Sequence, residues 1–314
     1  MRIIAEICQN HNGSFQNLKE MVDAACEGGA HIAKIQALYS EELVYREQFE
    51  GNTTEKFSMF RPYEAEFARL SSLDLSEEEE ENFVEYCLFR KIVPMITVFT
   101  NKGVERAKLA GFKHIKIASY DSTNLSLIES TLDFAKEIFI STGATTELEV
   151  ESLIQFLLLH NKKNKITLLH CKTEYPNMIN RVNLLRMKWL DSFGFEVGFS
   201  DHSQTYSSEG IRLSTRNIAS KAAIILGAKV IERHFSTLSP AETKDGKISI
   251  KSDDIKELIN FYKNENNQQL EFLENYKDEI LLIKGNGSNF EPSVEEWWNR
   301  QYYKGRVRSK KIQV

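Results

Sequence analysis

Eight short runs of aliphatic and β-branched residues recur along the chain, and the spacing between them limits what it can fold into. The runs are RIIAEIC (2–8), HIAKIQA (31–37), IVPMITVF (92–99), HIKIAS (114–119), EIFISTG (137–143), ITLLHCK (166–172), EVGFSDH (196–202) and AKVIERHF (228–235). Each has strand length and strand composition. Amphipathic stretches fill the gaps, such as NLKEMVDAACEGGA after the first run and SSEGIRLSTRNIASKAAIILGA before the eighth, the latter closing on Gly227. Their apolar residues recur at helical spacing. Eight strand and helix alternations in about 250 residues predict an α/β fold, a (β/α)8 barrel over residues 1–275, with a C-terminal tail over 276–314. A chain of 314 residues can bury the core such a barrel needs.

Composition removes several classes of function. With 41% hydrophobic and 27% charged residues and a net charge of -5, no global basic field attracts nucleic acid. The start MRIIAEICQNHNG has no basic segment followed by an apolar one, and no apolar run approaches the roughly 20 residues of a membrane span. A cytoplasmic protein with no membrane partner is expected. Cys8, Cys26, Cys87 and Cys171 are scattered without a C-x-x-C pair and read as reduced core thiols. Residues 38 to 75 form an insertion too long for an ordinary loop and read as a lid. The acidic run Glu77–Glu81 follows a serine at a helix start and reads as a solvated face. After about residue 275 the tail reads as loop, basic at its end, with Trp297 and Trp298 packing it back onto the barrel.

In a barrel of this kind the chemistry sits at the C-terminal ends of the strands. Those ends carry Glu6, Asn10 and His11; Lys34 and Gln36; Thr97; Lys116, Ser119 and Asp121; Ser141 and Thr142; His170, Thr173 and Tyr175; Ser200, Asp201 and His202; and Glu232 and His234. Alternate strand residues share a face, so Lys34 with Gln36, Ser200 with His202, and Glu232 with His234 point the same way. Two lysines among hydroxyls suit a small multiply charged anion such as a phosphate; two imidazoles with oxygen donors suit a divalent transition metal. Each residue alone has a structural explanation, since strand-end histidines and hydroxyls usually satisfy backbone groups. Lys34 inside an apolar strand does not, because a buried ammonium needs a partner.

The segments IIAEICQNHNGS, AKIQA, KIAS, ISTGA, LLHCKTEYP, GFSDHS and VIERHF, in that order, resemble the signature segments of the sialic acid synthase (NeuB) family over about residues 3 to 260. The resemblance implies a (β/α)8 barrel that condenses phosphoenolpyruvate with an N-acyl mannosamine or related amino-sugar acceptor to give a nonulosonic acid and phosphate. It implies His202 and His234 as ligands of Mn2+ or Mg2+. It places phosphoenolpyruvate against Lys34, Thr97, Lys116, Ser119, Ser141 and Ser200, and the sugar against Glu6, Gln36, Asn52, Tyr175 and Asp245. Glu232 falls beside the metal; Glu232 or Asp121 would position or deprotonate the water that adds to the substrate, and Lys34 and Lys116 would neutralise phosphate throughout. A homodimer is an assembly the resemblance allows.

The sequence also departs from that pattern. Cys8 stands where the family usually has Gly, Asp121 where it has Glu, and Thr173 where an Asn is common. Family members commonly continue into an antifreeze-like domain that offers an arginine to the sugar's N-acyl group; here the sequence ends at GRVRSKKIQV, where Arg306 and Arg308 are the nearest cations. Other readings are a related synthase using an aldose phosphate, a metal-dependent aldolase using pyruvate, and a non-catalytic sugar-binding or regulatory subunit.

Overall fold

A computed structural model describes residues 1–51, 60–161, 163–264, 267–285 and 290–309. The eight expected runs form strands β1 (Arg2–Cys8), β2 (Ile32–Ala37), β3 (Val93–Val98), β4 (His114–Ile117), β5 (Glu137–Ser141), β6 (Ile166–Cys171), β7 (Glu196–Asp201) and β8 (Val230–His234). All neighbours pair in parallel and β8 closes on β1, giving a closed barrel in sequence order. Helices follow the strands, and the first, Phe15–Gly28, shows why they form where they do. The Ser14 side chain accepts from the Asn17 amide at its start, and Gly29 ends it in the left-handed conformation with φ 87°.

Period two sorts every strand. Outward residues such as Ile3, Ala5, Ile35, Ile96, Ile140, Leu168 and Phe199 pack on the helices. Inside, Ile4, Ile32, Met95, Phe139, Leu169 and Val230 form a separate apolar plug. Two residues further along those same strands lie Glu6, Lys34, Thr97, Ser141, Cys171 and Glu232, all facing one cavity, where Lys116 of β4 and Ser200 of β7 join them. The switch from apolar to polar therefore occurs at one depth around the barrel.

Three expectations need correction. The stretch before β8 is helical only over Ile218–Ile225; ahead of it Gly210, at φ 78°, turns the chain, and Tyr206 bridges Arg212. Asp254 accepts from both Arg212 and Arg216, tying that loop down by charge. The acidic run does begin the helix Glu77–Phe89, capped by Ser76, but Glu80 is 1% exposed and pairs with Arg106 at 3.1 Å and Tyr39 at 2.8 Å.

The tail is not a loop. It contains helices Lys277–Lys284 and Val294–Tyr303, and the second crosses the barrel mouth. Its anchors are polar rather than the tryptophans: Trp297 is 38% exposed and Trp298 half-buried. Glu296, 1% exposed, accepts from the amides of Ala144 (3.2 Å) and Thr173 (3.1 Å) and contacts Lys172. Asn299 donates to the Thr173 carbonyl at 2.7 Å, and Arg300 donates to the Ala144 carbonyl at 2.8 Å and to Glu149. Beyond it, Val307 forms an antiparallel bridge with Leu43, so the tail runs from the loops after β5 and β6 to the segment after β2.

Gly198 is a point of close approach in the barrel interior. A Cβ there would lie 2.4 Å from the Val230 carbonyl oxygen and 2.7 Å from Leu169 Cδ2. Gly198→Ala should lower unfolding stability by about 1–3 kcal/mol in urea titrations. A change within error would mean that β7 and β8 are spaced more widely than described.

Candidate active site

The polar layer is a cluster of opposite charges. Lys34 contacts the Glu6 carboxylate, donates to Thr97 Oγ1 at 2.9 Å and lies 3.6 Å from Glu232. Lys116 donates to Glu232 at 2.6 Å, and Ser200 Oγ donates to the same carboxylate oxygen at 2.7 Å. Two ammonium groups face two carboxylates, all at most 4% exposed. Burial pulls Lys34 below its ordinary value while Glu232 opposes it; burial pushes Glu232 up, but Lys116, Lys34 and Ser200 outweigh that and hold it far below the carboxylate range. Ser119 Oγ lies 2.9 Å from Cys171 Sγ and accepts from the Gly143 amide, while Ser141 Oγ has no hydrogen-bond partner among the described residues.

One step toward the mouth lie the two histidines. Their ring centroids are 5.3 Å apart, and Tyr175 packs 4.4 Å from His202 and 6.4 Å from His234. Burial, followed by the nearby His234, lowers His202 to about 4, so its ring is neutral near pH 7. Its Nδ1 lies 2.7 Å from the Lys172 carbonyl, which can only accept, so Nδ1 carries the proton and Nε2 keeps a lone pair. His234 Nδ1 is 3.4 Å from Asp245, and the donor atoms of Cys8, His234 and Asp245 all fall within 4.8 Å of one another. Burial and the Asp245 carboxylate push the Cys8 thiol well up, leaving it protonated and hydrogen-bonded to Asp245. Within that close group His234 and Asp245 remain as donors for a divalent ion; His202 lies outside it, its ring 5.3 Å from that of His234, and an imidazole with a carboxylate suits manganese-type ions. Cys8 sits at φ 55°, a conformation easier for glycine, at the irregularity where β1 pairing with β2 shifts register.

The cavity holding these groups is about 470 Å³. Of the expected residues, Glu6, Lys34, Gln36, Thr97, Lys116, Ser119, Asp121, Ser141, Tyr175, Ser200, His202, Glu232, His234 and Asp245 all line it. Asn52 lies outside the described residues. Glu6 meets Lys34 in the polar layer, and Asp245 meets His234 and Cys8. Several strand-end residues take structural roles instead. Asp201 faces outward and pairs with the fully buried Arg233 at 2.6 Å, and His170 meets the Val182 carbonyl at 2.7 Å. Sequence reading did not identify Arg61, Arg69 and Lys244, which line the outer cavity with Tyr303 and Arg306. They come from the insertion, the loop after β8 and the tail, where no strand periodicity signals direction. Arg306 lines the cavity; Arg308 does not, and its amide donates to the Glu42 carbonyl.

Residues 21–271 match the sequence model of the NeuB family. The chain is 31% identical over 258 residues to the N,N'-diacetyllegionaminic acid synthase of Campylobacter jejuni, covering 82% of this chain and 73% of that protein. The solved structure of spore coat polysaccharide biosynthesis protein SpsE from Bacillus subtilis superposes with a TM-score of 0.72 at 22% identity, covering 95% of this chain and 76% of that one. N-acetylneuraminic acid synthetase from Leptospira borgpetersenii serovar Hardjo-bovis, solved with citrate, gives 0.68 at 25% identity over 96% of this chain and 90% of that one.

Lys34→Met keeps the apolar stem and removes the charge. It should weaken phosphoenolpyruvate binding by about tenfold to a hundredfold, with less effect on an amino sugar, in calorimetric titrations. Equal losses for both ligands would make Lys34 a structural residue.

Proposed function

This chain belongs to the NeuB family of phosphoenolpyruvate-dependent condensing enzymes, and from that premise we propose that it joins phosphoenolpyruvate to an amino-sugar aldehyde to give a nonulosonic acid. The observation that carries the reading is the stacking of two lysines, a ring of hydroxyls and two histidines in one cavity above an apolar plug. In this reaction C3 of phosphoenolpyruvate forms a bond to the aldehyde carbon and positive character develops at C2. The aldehyde oxygen takes up a proton; water adds at C2 and loses one proton, and as phosphate departs with its bridging oxygen the remaining hydroxyl at C2 loses its proton to leave the ketone.

Each part of the cavity has work in that sequence. Lys34 and Lys116, with Thr97, Ser119, Ser141 and Ser200, hold phosphoenolpyruvate at the polar layer, and the unpartnered Ser141 hydroxyl is available to an anionic oxygen. His202 and His234, with Asp245 beside His234, would hold Mn2+ or Mg2+; when bound, the ion supplies Lewis-acid polarisation of the aldehyde oxygen. Gln36 and Tyr175 line the wall beside the acceptor. The plug beneath the layer keeps bulk water from the developing charge.

The water's proton goes to Asp121 in this reading. Glu232 is held so firmly as a carboxylate by Lys116 and Lys34 that it makes a poor base and instead fixes the ammonium groups. Burial raises Asp121 from 3.8 to about 7 against the opposing Lys304 and Arg306, a value suited to taking a proton near neutrality.

The direct test is phosphate release from phosphoenolpyruvate with a panel of hexosamine and diamino-hexose acceptors, with mass spectrometry of the nonulosonate product. Activity with pyruvate in place of phosphoenolpyruvate would contradict the assignment. Chelation should abolish phosphate release and Mn2+ restore it, and His234→Ala should lose orders of magnitude in activity with an unchanged unfolding transition. Because a base acts when deprotonated and burial raises this one, kcat should rise with pH through about 7. Asp121→Asn should lower kcat and remove that limb; persistence of the limb would assign the proton transfer elsewhere.

A further inference from the structure

The condensation leaves the Cys8 thiol without a task, yet the fold holds it against the candidate metal site. Cys8 ends β1 and lines the cavity, buried. Glu6 sits opposite His234 where β1 pairs with β8, and Cys8, two residues on, shares its face. Its Sγ, a ring nitrogen of His234 and an Asp245 oxygen all lie within 4.8 Å of one another. A buried side chain ties the three donors down from behind. Asn10 Nδ2 donates to the Phe235 carbonyl at 2.9 Å and to Ser249 Oγ at 3.1 Å, and Ser249 Oγ donates to the Asp245 carbonyl at 2.8 Å. One amide thus joins the chain beside Cys8, beside His234 and beside Asp245. Gly246 lets that loop fold so tightly, since a Cβ there would lie 2.1 Å from the Pro240 carbonyl oxygen. Within this frame His234, 7% exposed, keeps its Nδ1 at 3.4 Å from Asp245 with no hydrogen-bond partner among the described residues. A buried ring nitrogen left this way costs free energy until a ligand engages it.

We propose that Cys8 is a thiolate ligand of the ion at this site, joining His202, His234 and Asp245 and making it a centre for Zn2+, Co2+ or Fe2+ in preference to Mg2+. The inference rests on the synthase reading for the ion's placement. Ligation forms a sulfur–metal bond and breaks the S–H bond, and the proton leaves to solvent. Charge balance favours the thiolate. A divalent ion held by Asp245 and neutral imidazoles keeps one uncompensated positive charge in a buried site, and Lys244, the cation next to Asp245, adds another. Glu232 and Asp201, the other carboxylates acting on this site, are already engaged by Lys116 and Arg233. A thiolate cancels the ion's remaining charge, and its soft sulfur selects ions of the zinc type, while Mn2+ still binds through the nitrogen and oxygen donors. Cys8 stands where the family usually has Gly, so this ligand is a feature of this chain.

The test strips the whole chain with chelator, loads it with Co2+ under a non-thiol reductant and reads its absorption spectrum, beside calorimetric titrations with Zn2+ and Mn2+. The wild type should show a near-ultraviolet sulfur-to-cobalt charge-transfer band that Cys8→Gly lacks; glycine is at ease at φ 55°, so the variant keeps its fold. In Cys8→Gly the affinity for Zn2+ should fall by at least about a hundredfold, the upper end of the loss when a group that only orients a ligand is removed, and that for Mn2+ by less than about tenfold. Cys8→Ser, whose hydroxyl can still hydrogen-bond to Asp245, should also lack the band and bind Zn2+ as weakly as Cys8→Gly. Full Zn2+ affinity in Cys8→Ser, or equal losses of Zn2+ and Mn2+ in Cys8→Gly, would make the thiol a positioning group and overturn the proposal. Co2+ bound without the band, no Co2+ binding, or a band that persists in Cys8→Gly would overturn it as well. A band without phosphate release from phosphoenolpyruvate and the acceptor panel would keep the thiolate ligand and sink the synthase reading; phosphate release by a cobalt enzyme without the band would do the reverse.

Discussion

The buried group of Glu6, Lys34, Lys116 and Glu232 is the interaction on which the rest of the site depends. Each of these charges would be expensive to bury alone, and each is tolerated because the others face it. Glu232 is central, since it takes Lys116 and Ser200 on one oxygen and lies near Lys34 with the other. The balance means that the two ammonium groups are already fixed before any ligand arrives. A bound anion then competes with Glu232 for donors that need no rearrangement, which is the physical content of a preorganised site. The apolar plug directly beneath keeps the surroundings of low polarity and makes each of these contacts stronger than it would be in water.

Above that layer the barrel no longer supplies the walls. The strand ends give the histidines and Asp121, but the outer rim is made by the insertion after β2, the loop after β8 and the tail. The tail holds its place through polar anchors, chiefly Glu296 accepting from two backbone amides in the loops after β5 and β6. Its contribution to the cavity is direct: Tyr303 stacks on Tyr120 with centroids 5.2 Å apart, and Arg306 stands in the outer cation group. A segment outside the repeating barrel thus shapes the outer part of the cavity, while the strand ends supply its inner polar layer and the two histidines.

That division explains what could be read from the sequence. Strand periodicity fixes direction, so Lys34 with Gln36, Ser200 with His202, and Glu232 with His234 could be assigned to one face from spacing alone, and each pair lines the cavity. The same rule, applied to Asp201, turns it outward onto Arg233. No comparable rule governs the insertion or the tail, and Arg61, Arg69 and Lys244 were invisible for that reason. The helix Val294–Tyr303 is not legible in the sequence because its buried positions are Glu296, Asn299, Arg300 and Tyr302, three of them polar. Polar anchoring of this kind leaves no hydrophobic period to detect. Cys8 shows a subtler limit, since its left-handed backbone becomes apparent only where β1 shifts register.

The measurement that bears most directly on the central claim is a crystal structure of the protein with phosphoenolpyruvate and Mn2+. The expected result is the phosphate of phosphoenolpyruvate within hydrogen-bond reach, about 3 Å, of both the Lys34 and Lys116 ammoniums, with Ser141 joining and Glu232 yielding one of its present contacts. Phosphoenolpyruvate bound instead at Arg61 and Lys244, with the Glu6, Lys34, Lys116 and Glu232 contacts unchanged, would contradict it.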